Sequence, residues 1–409
     1  MPPRSPGSLS TPAEIFRLTR ELVDVDSVTG REREVGELLE GRLLELAGSC
    51  GGGGGGGGGG DRDGRGGRGV VERMAVGGEL GEPDERGESD ERGEPDERGE
   101  RGAGAGRFNL FATWGEPVVV LSTHMDTVPP FFPSTEDAEH IYGRGACDAK
   151  GIIAAMLAAV ARLLDDGVRG FGVLLLVGEE TDSAGAEAAN RQPRGTRYLV
   201  NGEPTENRLA VGTKGALYLA VEAAGRAAHS AYPELGDSAV DGLLAALARL
   251  RAVPLPSAPV LGETTLNIGT LAGGRAANVV ADRARAEVMV RTVGDTARLR
   301  ADLVAALAPA QVIEVRETPA MRLRTLPGFA TTVVKYTSDI PRLGAWGEPL
   351  LLGPGSIHLA HTPEERVPKG QLVEAADLYA ELVRRLLREA AAAGGRGSHD
   401  AAGARAAAR

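Results

Sequence analysis

Along most of the chain, short apolar runs alternate with amphipathic stretches, and the runs share a habit of ending in acids or histidine. VVVL (118–121) leads into STHMD, FGVLLLV (171–177) into GEE, and RYLV (197–200) into NGEPT. Near-continuous, β-branched runs of this length predict strands of a parallel sheet buried on both faces. Between them KGIIAAMLAAVARLL (150–164) carries its apolar positions at helical spacing and predicts a helix. Near the start, TPAEIFRLTRELV predicts another, with Thr11 as N-cap, Pro12 at the first helical position and Glu14 completing a capping box. Further amphipathic helices are predicted over about residues 31–47 and 369–387, and VVERMAV (70–76) and RFNLFATW (107–114) predict two partnered strands.

At about residue 215 the pattern changes. ALYLAVEAAGRAAHSAY alternates as a half-exposed strand does. It is followed by a helix (GDSAVDGLLAALARLRAV), two strands (TTLNIGTLAGG and RARAEVMVRTV), a helix (TARLRADLVAALA) and a strand (QVIEVRET). That βαββαβ order predicts a ferredoxin-like unit. LLLGPGSIHLAHTPEERV then resumes the earlier style, so the unit reads as an insertion. The expected fold class is α/β: a catalytic domain with a mixed central sheet in two parts, 11–213 and 319–390, around an inserted ferredoxin-like domain over 214–318. An Ala/Gly/Arg tail over 391–409 is expected to be disordered.

Two low-complexity segments, 49–69 and 77–106, interrupt the first part. Ten consecutive glycines, Gly51 to Gly60, cannot build a core and predict a tether. The hexads GEPDER, GESDER and GEPDER over 81–98 lack apolar positions and predict disorder. Both sit in connections where long insertions cost little free energy. At −2 each, the three hexads supply −6 of the net charge of −11, and the remainder argues mildly against a nucleic-acid partner. With only Cys50 and Cys147 present, a disulfide framework is excluded and a reducing cytoplasm fits. No run is long and apolar enough for a transmembrane helix and MPPRSPGSLS is no signal peptide, so a soluble cytoplasmic protein without a membrane partner is expected.

The polar residues gathered at the ends of apolar runs are His124, Asp126, Asp148, Glu179, Glu180, Glu203 and His361. His124 and Asp126 stand two apart, so in extended chain their side chains share a face, and one can bind a metal while the other orients it. Asp148 arrives through the Gly-rich turn GRGACDAKG, directly before a helix. Nitrogen and carboxylate ligands together suit zinc, cobalt or manganese. Two neutral imidazoles and the carboxylates of Asp148, Glu180 and Glu203 carry a charge of about −3, which two divalent ions and one bridging hydroxide neutralise. Glu179, adjacent to a ligand, suits a general base, and Asp126 suits a partner for the second ring nitrogen of His124. Ordinary acidic loop ends would explain GEE or GEP taken singly, but not all five ligand-type groups at strand ends.

STHMDTVP, GRGACDAKG, VGEETDSAG, GEPT and GPGSIHLAHTPEE resemble, in this order, the motifs of the co-catalytic zinc exopeptidase and deacylase family. That family includes acetylornithine deacetylase, succinyl-diaminopimelate desuccinylase, aminoacylase and the glutamate carboxypeptidases. The resemblance runs over about residues 12–388, apart from the low-complexity segments. It implies that His124 and Glu203 hold one metal and Glu180 and His361 the other, with Asp148 bridging, Glu179 as general base and Asp126 as orienting acid. It further implies that the inserted domain is a lid through which the chain forms a homodimer. His229 of GRAAHSAY would cross that dimer to polarise the scissile carbonyl, Asn278 and Arg291 would hold the substrate carboxylate, and the backbone of Gly353, Pro354 and Gly355 would line the pocket.

On spacing alone His358 competes with His361, and the AHTPEE context selects His361; His140 and His399 read as solvent residues. Arg291 could equally be an ion-pair partner on a sheet face. Where the family carries a fuller helix before KYTSDIP, this chain has little beyond LRTLPGFATTV, which alters one pocket wall. The activity implied is hydrolysis of the amide bond of an N-acyl amino acid, of the acetylornithine type, with two divalent metals, most naturally zinc. A dipeptidase, carboxypeptidase or aminoacylase is the alternative among enzymes, and a non-catalytic dimeric binding module the alternative outside them.

Overall fold

The structure, a computed structural model, describes residue 9 and residues 11–48, 69–77 and 106–406. The glycine run and the acidic hexads lie outside the described residues. In chain order the main elements are α1 (Pro12–Val23), α2 (Arg33–Gly48), β1 (Val70–Ala75), β2 (Phe108–Trp114), β3 (Val119–His124), α3 (Lys150–Asp165), β4 (Phe171–Leu176), α4 (Ala184–Asn190) and β5 (Tyr198–Asn201). There follow β6 (Gly215–Ala224), α5 (Ala239–Arg251), β7 (Thr265–Gly273), β8 (Arg283–Thr292), α6 (Ala297–Leu307) and β9 (Gln311–Thr318), and finally β10 (Glu348–Leu351) and α7 (Lys369–Ala406). They form two compact units, one of Met1–Leu209, Leu326–Ala330 and Arg342–Arg409, the other of Ala210–Thr325 and Thr331–Pro341.

The first unit is built on a six-stranded sheet in the order β1-β2-β4-β3-β5-β10. It is mixed: β4, β3, β5 and β10 run parallel, and β1 and β2 add an antiparallel edge. All six residues of β3 are buried because each face of the sheet is covered. Val119 and Leu121 point into a core shared with Ile15, Ile153, Leu157, Leu372 and Tyr379 from α1, α3 and α7. Val120, one residue out of phase, points into a second core with Leu174, Ala186, Leu199 and Trp346. Strand side chains alternate with a period of two, so an uninterrupted apolar run is what a doubly covered strand requires. At the start of α1 the capping box is formed, with the Thr11 amide donating to Glu14 Oε2 at 2.8 Å and the Glu14 amide to Thr11 Oγ1 at 3.4 Å. A small sheet of Thr135–Glu136, His140–Tyr142 and Arg366–Pro368 was not foreseen, since strands of two or three residues show no period.

The second unit carries an antiparallel sheet in the order β7-β8-β6-β9, with α5 and α6 contributing to its core. On β8 the residues Ala284, Ala286, Val288 and Val290 enter the core with Leu243, Leu247, Leu299 and Leu303. Arg291 therefore belongs to the opposite face of the sheet, where it is partly buried.

α7 runs to Ala406, beyond the end near Leu387 that the amphipathic pattern predicts. The stretch contains no proline, and its alanines and arginines favour a helix, while Gly394, Gly395, Gly397 and Gly403 each oppose one by about 1 kcal/mol.

Candidate metal centre

Four neighbouring parallel strands of the first unit deliver polar groups at their C-terminal ends. His124 is the last residue of β3, Glu179 and Glu180 follow β4, Glu203 follows β5, and the Gly353–Gly355 loop follows β10. Asp148 stands just before α3, and His361 lies on the loop between β10 and α7. Crevices at the carboxyl ends of strands are where open α/β sheets place ligands, because the loops there are not needed for the sheet's own core.

Asp148 is the centre of the arrangement. Its Oδ1 lies 3.0 Å from His124 Nε2, and its Oδ2 lies 3.5 Å from His361 Nε2. His361 Nε2 also lies 3.0 Å from Glu180 Oε1. One ligand atom each from His124, Asp148 and Glu180 fall within 4.8 Å of one another. The backbone of His361 is left-handed, with φ of 65°, a costly conformation for a residue with a Cβ that is met mostly at functional sites. His358, its competitor on spacing, is exposed.

Glu203 is 4% exposed, and its Oε1 has no hydrogen-bond partner. Burial first, and then the negative charges of Asp148 and Glu179, push its carboxyl well above the ordinary range. Glu180 is raised for the same leading reason, burial, with Asp148 adding to it against the pull of His361. Burial works against the ionised Asp148 too, but the two histidines outweigh it and hold that carboxyl low. The histidines respond in kind: hydrogen bonds to Asp148 and Glu180 raise His361 to about 10, and Asp126 and Asp148 overcome the opposing effect of burial on His124. The carboxylates around the two histidines thus favour positive charge at these positions. A metal ion would compete for those positions, since its ligands must be deprotonated. An orphaned buried carboxylate oxygen that feels Asp148 and His124, together with the carboxylate the two imidazoles share, is the donor set a divalent ion fits.

The surrounding chain holds these groups in place. The carboxylate of Asp126 accepts from the amides of Glu179 (3.1 Å) and Glu180 (3.2 Å) and from Thr29 Oγ1 (2.8 Å). His124 Nδ1 is 3.0 Å from the main-chain oxygen of Asp126 and 3.6 Å from its carboxylate. Asp126 therefore meets His124 through both its main-chain oxygen and its carboxylate, and the same carboxylate fixes the turn bearing both glutamates. The glycines of the GPG loop allow close approach: a Cβ on Gly353 would lie 2.5 Å from the Glu203 carbonyl oxygen, and one on Gly355 2.6 Å from Cys147 Sγ. Cys147 is fully buried and its thiol is pushed up by that burial, as suits a small residue filling a turn. Sequence reasoning missed Thr29, Arg144 and Glu365. A pattern of strand ends cannot point to Thr29, which belongs to the loop after α1, although GRG and HTPEE flanked the other two.

The remaining candidates lie in the second unit. His229 forms a backbone bridge with Val279, and its Nδ1 accepts from the Ala231 amide at 3.1 Å. The Ser230 amide donates to the Asn278 carbonyl at 3.0 Å, so His229 and Asn278 sit on adjoining segments. Arg291 is held below its ordinary range by burial alone, with no charged partner contributing.

Comparison with known proteins identifies the family and the fold. A profile described as Peptidase family M20/M25/M40 matches residues 120–385. A peptidase M20 domain-containing protein of Schizosaccharomyces pombe is 39% identical over 294 residues, covering 69% of this chain and 73% of that one. A probable carboxypeptidase of Aspergillus terreus is 38% identical over 405 residues, covering 89% and 84%. Among solved structures, a tripeptidase of Staphylococcus aureus shares the fold with a TM-score of 0.70 at 20% identity, over 93% of this chain and 100% of that one. The chain belongs to the M20/M25/M40 peptidase family, and so to the metal-dependent hydrolases that act on peptide bonds.

Proposed function

We propose that the protein is a dinuclear metallopeptidase that releases the C-terminal residue from a dipeptide or short peptide. The observation that carries this is the Asp148 carboxylate set between His124 and His361, with the buried, unpartnered oxygen of Glu203 at the same centre. His124 and Glu203 would hold one ion, Glu180 and His361 the other, and Asp148 both. Zinc is the natural choice for this donor set, with cobalt or manganese as substitutes. Bound ions would supply Lewis-acid polarisation of the scissile carbonyl and a lowered pKa for the attacking water.

The chain's own groups do the rest. Glu179 takes the proton from the attacking water and passes it to the leaving amine. Asp126 keeps Glu179 and Glu180 in place through their amides. For the second unit the reading rests on the sequence pattern. His229, supplied by a second copy in a homodimer formed through the inserted lid, donates to the developing oxyanion, and Asn278 and Arg291 hold the substrate's carboxylate. The backbone of Gly353 and Gly355 lines the pocket.

An N-acyl amino acid presents the same amide next to the same carboxylate, so deacylation of the acetylornithine type is the second reading, favoured by the motif series. The test is amine release by zinc- or cobalt-loaded protein from dipeptides, tripeptides and N-acetyl and N-succinyl amino acids. Metal-dependent turnover of peptides with a free C-terminal carboxylate is expected. Turnover confined to N-acyl amino acids selects the second reading, and silence across the panel overturns both.

A further inference from the structure

Glu365 and Arg144 are almost wholly buried, at 1% and 2% exposure. Arg144 Nη1 meets Glu365 Oε2 at 2.5 Å, and its Nε donates to the Pro130 carbonyl at 3.2 Å. The other carboxylate oxygen, Oε1, accepts from three amides of one turn: Gly145 at 2.9 Å, Cys147 at 3.2 Å and Asp148 at 3.2 Å. The main chain joins the same two segments, with the Gly143 amide donating to the Glu365 carbonyl at 3.1 Å. Four residues before Glu365 stands His361, and the Glu365 amide closes their shared loop by donating to the Thr362 carbonyl at 3.3 Å.

An ion pair alone would need none of the three amides. Their convergence on one oxygen means that the backbone carrying Asp148 is set by the position of Glu365, while the backbone carrying His361 leads directly into it. We propose that Glu365 is a positioning residue, fixing Asp148 and His361 in register so that one metal can be held between them, with Arg144 holding the acceptor oxygen on the turn. The inference rests on the metal assignment proposed above. Partners behind metal ligands tune affinity by orienting them, and their loss typically costs about 10–100-fold in binding.

The test is equilibrium dialysis of the full chain against Zn²⁺, with metal content per chain measured by elemental analysis. Glu365→Gln leaves one amide oxygen to serve both Arg144 and the three amides, and the weaker zinc is expected to lose about 10–100-fold in affinity. In Glu365→Gln with Arg144→Gln that oxygen returns to the turn and no unpaired charge remains, so affinity is expected to recover to within about 3-fold of the parent. Glu365→Leu with Arg144→Met removes the ion pair and the acceptor together, and is expected to show no recovery. If the Leu/Met variant binds both zinc ions as the parent does, or if Arg144→Gln restores nothing to Glu365→Gln, the inference is overturned while the metal reading stands. The second comparison needs only the two conservative variants to fold. A parent chain that binds no zinc overturns the metal reading, and this inference with it.

Discussion

Replacing Glu203 by glutamine should move the stability of the metal-free and metal-loaded protein in opposite directions. In the chain without metal, Glu203 is buried at 4% exposure, its Oε1 lacks a partner, and burial raises its carboxyl far above the ordinary range. A raised carboxyl gives up stability as pH climbs above the unfolded value, because the folded chain must keep a proton that the unfolded chain releases. Between the reference value of 4.5 and about pH 7.5, at ~1.4 kcal/mol per pH unit, that cost is at most about 4 kcal/mol. The lone unpartnered acceptor suggests a lower bound of about 1 kcal/mol. Glutamine has nearly the same shape and no proton to retain, so Glu203→Gln should stabilise the chelated protein by about 1–4 kcal/mol at pH 7.5. For domains of 150–250 residues each kcal/mol is worth about 2–4 °C in Tm. At pH 4 the difference should vanish. With zinc in hundredfold excess over Kd the parent should gain about 2.7 kcal/mol for each ion bound, and the variant much less. Thermal melts of both proteins, with chelator and with zinc, at pH 4 and 7.5, read all of these at once. If Glu203→Gln lowers the Tm of the chelated protein and leaves the zinc-induced rise intact, the reasoning is refuted.

Other predictions follow from the same geometry. Glu179→Gln should keep its metal content while kcat falls by about 10²–10⁴, as loss of a general base requires; turnover at the parent rate would remove Glu179 from that role. Burial pulls the Lys150 ammonium down to about 8, so the folded chain binds fewer protons than the unfolded one between there and 10.5. Stability of the chelated protein should therefore rise over that window by up to roughly 3 kcal/mol, and Lys150→Met should abolish the slope in denaturant titrations taken across it. Arg291→Leu should raise KM at least about tenfold for substrates with a free carboxylate and leave C-terminal amides unaffected; an equal effect on both would make Arg291 a sheet-face residue.

The sequence made the sheet legible because strands covered on both faces leave an unbroken apolar signature, and β3 is buried at every position. It made much of the candidate centre legible for a related reason: His124 ends such a run and Glu180 and Glu203 follow two others closely, so their chemistry stands out against hydrophobic neighbours. What stayed hidden depends on folding rather than on pattern. The hydrogen bonds from Glu365 reach residues 217–220 positions away, and nothing in HTPEE announces that its second acid faces inward. Asp126 is read from the sequence as acting on the ring of His124, and its carboxylate lies 3.6 Å from that ring. It also serves two amides and Thr29, a further duty that a two-residue spacing cannot specify. The extent of α7 does not show in the sequence, because the amphipathic pattern from which an end is predicted stops near Leu387 and the helix does not.

The central claim is that this centre holds two divalent ions with Asp148 between them. Elemental analysis of zinc-loaded protein and of His361→Ala, after exhaustive dialysis, tests it most directly. Two ions per chain in the parent, one in His361→Ala and none in Asp148→Ala are the predicted result. A single ion in the parent that survives the loss of His361, or two ions unaffected by the loss of Asp148, would contradict it.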